Sequence, residues 1–97
     1  MTEPVAGVVR GKRFELVDGE GRVRAALVLH EDGTPGLDLW DDNGNVRATL
    51  VLSRDGIPRL NLLGKTGEVR AALGFGTDWR VGLVLSDPHG QVLWSAP

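Results

Sequence analysis

The chain has 97 residues, a net charge of -2 and 41% hydrophobic residues, enough for one domain and too little for two separate cores. Both signs of charge are interspersed, so no basic field recruits nucleic acid, and the lack of cysteine excludes disulfides, thiolate metal sites and a thiol nucleophile. No stretch reaches membrane-span length and Met1 to Gly11 carries no secretion signal, so the expectation is a cytoplasmic protein with no membrane partner.

Residues 1–12 form an N-terminal extension, in which Val5, Val8 and Val9 are able to lengthen a first strand. From Arg13 onward apolar residues alternate. Phe14 and Leu16 share one face, followed by Val23/Ala25/Leu27/Leu29, Leu37/Leu39, Val46/Ala48/Leu50/Leu52, Leu60/Leu62, Val69/Ala71/Leu73/Phe75, Leu83/Leu85 and Val92/Trp94. Period-two runs bounded by Gly, Asp, Asn and Pro are strand signals, and no window keeps helical spacing over three turns. The reading is all-β: eight short strands and no substantial helix.

The strands come from an internal repeat. Val23-Arg24-Ala25 recurs as Val46-Arg47-Ala48 and Val69-Arg70-Ala71, and Asp32-Gly33-Thr34-Pro35 as Asp55-Gly56-Ile57-Pro58, always 23 residues on. Repeats start near residues 14, 37, 60 and 83 within a single domain, 1–97. Asp18–Gly21, Asp41–Gly44, Gly64–Gly67 and Asp87–Gly90 read as four-residue turns, and Glu31–Gly33 and Arg54–Gly56 as three-residue hairpin loops with left-handed glycine. Such short connections make consecutive strands antiparallel neighbours in an up-and-down meander.

A four-residue loop implies a register in which Val17 pairs with Arg22, Leu16 with Val23 and Glu15 with Arg24. The equivalent pairs are Asp38–Arg47, Asn61–Arg70 and Val84–Leu93, so an acid or amide faces each arginine and the copy without arginine is apolar on both sides. The scheme places Ala25 between Phe14 and Leu39, and Ala48 between Leu37 and Leu62. It also staggers the sheet by roughly two residues per repeat, as barrel closure requires.

The apolar face needs a cover, and two solutions fit: closure into a small eight-stranded barrel, or an open sheet packed on its own copies as a sandwich or prism. The opposite face carries Val17, Trp40 and Leu63 at one repeat position and Val28 and Val51 at another. These five residues are the candidate interface and favour a homo-oligomer. The implied partner is the chain itself or another protein. The alternative is a small barrel that binds a ligand.

No catalytic set emerges. His30 and His89 lie 59 residues apart without a nucleophile or ligand pattern beside them, so the chain reads as a non-enzyme with no cofactor. Asp41-Asp42-Asn43-Gly44-Asn45 has the oxygen density of a calcium loop but lacks a terminal bidentate Glu, and turn chemistry explains it more simply. Gly64-Lys65-Thr66-Gly67 has no acid at all. Arg24, Arg47 and Arg70 make an evenly spaced ladder that suits an anionic polymer or, more economically, the acids opposite. Trp94 continues the apolar face, and Trp79 stands where the Asp-Gly-x-Pro turn has glycine. Nine arginines against two lysines suit a GC-rich genome or a hot habitat.

The unit Asp-x-x-Gly-x-Val-Arg-Ala-x-Leu-x-Leu-x-x-Asp-Gly-x-Pro-x-Leu-x-Leu, spanning residues 14–94, resembles uncharacterised bacterial repeat proteins. That resemblance implies a stackable sheet of variable repeat number and supplies no activity or residue roles. Fibrous phage-tail and adhesin modules are similar in architecture only.

Overall fold

A computed structural model describes residues 7–97. Its strands are β1 (Arg13–Val17), β2 (Val23–Leu29), β3 (Pro35–Trp40), β4 (Val46–Leu52), β5 (Pro58–Leu63), β6 (Val69–Phe75), β7 (Val81–Ser86) and β8 (Val92–Ala96). They form one antiparallel sheet in sequence order, the expected meander. Val5 lies outside the described residues, and Val8 and Val9 precede β1 without joining it.

All seven connections share one geometry, where two turn classes were expected. Asp18 N–H donates to Arg22 C=O (2.9 Å) and Gly21 N–H returns to Asp18 C=O (3.1 Å), and the same pair of bonds recurs from His30, Asp41, Ser53, Gly64, Gly76 and Asp87. The fourth residue must adopt positive φ, which glycine does without strain. It is glycine six times and Trp79, at φ 62°, once.

Alternate hairpins differ by a bulge. Leu16 opposes Ala25 but Val17 opposes Val23, leaving Arg24 as the extra residue. Arg47, Arg70 and Leu93 are the extra residues of the equivalent hairpins. This corrects the register. Glu15 faces Ala26, Asp38 faces Thr49, Asn61 faces Ala72 and Val84 faces Ser95, so none of them opposes the residue expected. Ala25 sits between Leu16 and Leu39, and Ala48 between Leu39 and Leu62.

The bulge cancels the stagger. One row crosses all eight strands as Phe14, Leu27, Leu37, Leu50, Leu60, Leu73, Leu83 and Ala96; beside it run Leu16, Ala25, Leu39, Ala48, Leu62, Ala71, Leu85 and Trp94. Residues 23 apart share a row, so the stagger per repeat is zero. A barrel needs a fixed shear, and without one the sheet stays open with β1 and β8 at its edges. The closed-barrel alternative is thereby overturned.

A single open layer has little interior. The radius of gyration is 16.1 Å, against about 12.5 Å for a compact domain of this length. Among the described residues only Ala26 and Gly36 are buried.

Candidate functional site

The largest chemical feature is the leucine face. Strand alternation puts both apolar rows on one side, and among the described residues no second layer covers them. Leu37, Leu52 and Leu60 are 37% exposed, Leu50 47% and Leu27 54%, where a packed core would leave leucine near zero. Trp94, which continues the apolar face, is 51% exposed. The first row is almost uninterrupted leucine. The second alternates large and small, with Ala25, Ala48 and Ala71 making hollows between Leu16, Leu39, Leu62 and Leu85. A wholly apolar groove of about 280 Å³ opens on this face between Leu27, Leu37, Leu50, Leu52, Pro35 and Pro58.

The opposite face is more closely filled. Trp40, Leu63, Val28 and Val51 are half-buried there and Val17 is exposed. The bulges pair Val23 with Val17, Val46 with Trp40 and Val69 with Leu63, taking these valines off the leucine rows where alternation alone put them. Val28 and Val51 flank Gly36 from β2 and β4. A Cβ on Gly36 would meet His30 Nε2 at 2.6 Å and Val51 Cγ1 at 3.4 Å. His30 therefore packs over a glycine, which is a structural position. His89 lies in an exposed turn, its N–H donating to Asp87 Oδ1 at 2.9 Å.

The arginine ladder works as staples between hairpins, a role that the expected acid pairing missed. Arg24 Nε donates to Trp40 C=O at 3.1 Å, and Arg70 Nε to Ser86 C=O at 2.7 Å. Arg47 donates from Nη1 to Gly64 C=O and from Nε to Asp41 Oδ2, the latter at 2.9 Å. Each of the three arginine bulges aims its guanidinium at a carbonyl at the end of the next strand. The regular Val-Arg-Ala recurrence beside each Gly turn was the only sequence signal for this.

The acidic turns are occupied by their own backbone. Asp41 Oδ1 accepts the N–H groups of Asn43 and Asn45, both at 2.9 Å, as Asp18 Oδ1 accepts those of Glu20 and Arg22. In the turn without an acid, Glu68 takes that part from the other side and accepts both the N–H and the hydroxyl of Thr66. A Cβ on Gly64 would fall 1.9 Å from Glu68 Oε1, so the glycine and the glutamate are one exchange. Among the described residues no three His, Cys, Asp or Glu side chains gather as a metal site.

These bonds stabilise the ionised carboxylates. The Asn45 N–H, then that of Asn43 and the Arg47 guanidinium, lower Asp41 to about 2 against desolvation, and Asp18, Asp32 and Glu68 are also lowered. A lowered folded-state pKa gives stability that is complete above the unfolded value near 4 and lost as pH falls towards 2. The melting temperature should therefore drop between pH 5 and pH 2. In Asp41→Asn the drop should be shallower by one carboxylate's share, which thermal melts across that range will measure.

No helix among the described residues is long and apolar enough to cross a membrane. No protein-family model matches the sequence and a search of curated proteins finds no relative, so the surfaces themselves carry the functional argument.

Proposed function

We propose that the chain is a non-enzymatic β-repeat module that associates with copies of itself and serves a structural or protein-interaction role. The observation that carries this reading is the uncovered leucine face. Eight strands at about 4.8 Å give a width of about 38 Å. Three apolar rows, counting Leu29, Leu52 and their prolines, give a depth of about 20 Å. That is roughly 760 Å² per copy, the size of a standard interface. The second row favours a like partner. Its leucines and alanines alternate with a spacing of two strands, so an identical face offers hollows at the spacing of its ridges.

Light scattering on a sizing column over a range of concentrations tests the proposal. The expected result is a mass of two or more chains throughout that range. A mass of one chain up to high micromolar concentration, with native circular dichroism, overturns it.

A further inference from the structure

Among the described residues the sheet ends in two strands, β1 and β8, that each lack a neighbour, and the repeat says what neighbour each would take. Moved by the repeat length, β8 coincides with β2 and β1 coincides with β3, two strands that pair within the chain. We propose that β8 of one copy adds to β1 of another, antiparallel, continuing both apolar rows from chain to chain. The proposal rests on the self-association reading for its occupant, a second copy, but uses the edges where that reading uses the face.

Three observations support it. First, the β2–β3 register transfers to chemically sensible pairs. Ala25–Leu39 becomes Trp94 beside Leu16, Leu27–Leu37 becomes Ala96 beside Phe14, and Ala26–Asp38 becomes Ser95 beside Glu15. Second, the edge residues are the exposed ones. Leu16 is 66% exposed, where its equivalents Leu39, Leu62 and Leu85 are 43%, 49% and 39%, and Val92 is 60% exposed against 44% for Val69. Third, Leu93 holds the bulge position that is arginine in every other copy. Carried across the junction, it meets Val17, the equivalent of Trp40, so an apolar pair takes the place of the staple. Natural edges are blunted by proline or charge, and β8, Val-Leu-Trp-Ser-Ala, contains neither. Joining unlike edges is heterologous, and with no stagger the product grows as an open ribbon.

The test uses the lack of cysteine in the chain. Glu15→Cys and Ser95→Cys in one protein place thiols on opposite edges, about 33 Å apart within a chain, far beyond disulfide reach. Paired across the junction their Cα atoms would lie about 4.5–5.5 Å apart, inside that reach. Mild oxidation should give a ladder of covalent dimers, trimers and longer species on a non-reducing gel, while each single variant stops at dimer. A double variant that shows no species beyond those of the single variants overturns the proposal, as does a fast-migrating monomer with an internal disulfide. The pair Phe14→Cys and Ala96→Cys, one row away, repeats the test should the first pair perturb folding. Loss of the ladder with the multimeric mass retained removes edge pairing and leaves the face reading standing.

Discussion

Replacing Leu50 with Asp should leave the chain unassociated and unfolded at room temperature. Leu50 sits in the middle of the leucine row, between Leu37 and Leu60. In a lone sheet a side chain 47% exposed would let a carboxylate reach water, and the cost would be small. Under a second sheet the same carboxylate is enclosed among leucines without a partner. That costs roughly 4 kcal/mol or more per chain, a large part of the stability of any small domain. Circular dichroism and light scattering on one sample decide the matter. A folded Leu50→Asp protein with the parent melting temperature means that the face meets solvent.

The second large effect is expected from the staples. Changing Arg24, Arg47 and Arg70 together to Ala should cost about 3 kcal/mol, read as a lower urea midpoint with an unchanged slope. Each guanidinium makes a charge-assisted bond to a strand-end carbonyl; Arg24 and Arg47 are about a third exposed and Arg70 is half-buried, so about 1 kcal/mol apiece is appropriate after screening. The three lie two strands apart in turn, about 10 Å, where effects add. Asp38→Ala should change stability by less than about 0.5 kcal/mol, because Asp38 faces Thr49 and not Arg47. Equal losses for Asp38→Ala and Arg47→Ala would restore the simple acid–arginine pairing.

That contrast marks where the sequence stopped being legible. The eight strands, their order and the positive-φ glycines follow from alternation and turn residues, which act within four or five neighbours. A bulge has no such signature here. Val23 and Arg24 look like two ordinary strand residues, and only the paired backbone shows that both oppose Val17. The slip moved every predicted partner of Glu15, Asp38 and Asn61, introduced a stagger that does not exist, and kept a barrel in contention. The acid missing from Gly64-Lys65-Thr66-Gly67 was legible in principle. Glu68 stands where Arg22 and Asn45 stand in the other copies, but an exchange across a turn has meaning only once the turn's hydrogen bonds are drawn. The five candidate interface residues share the face of Trp40 and Leu63, and the larger exposed apolar area lies on the leucine face.

The meander also settles how stability is distributed along the chain. Every contact between strands joins sequence neighbours, so no strand helps to hold another that is not next to it. Such a molecule behaves as a row of coupled units, each borrowing order from the two beside it, rather than as a single cooperative globule. Its middle, β4 and β5, is insulated by three strands on either side, while β1 and β8 open first. Any contact that occupies those two strands would remove the places where fraying begins, and its effect would travel inward through every hairpin.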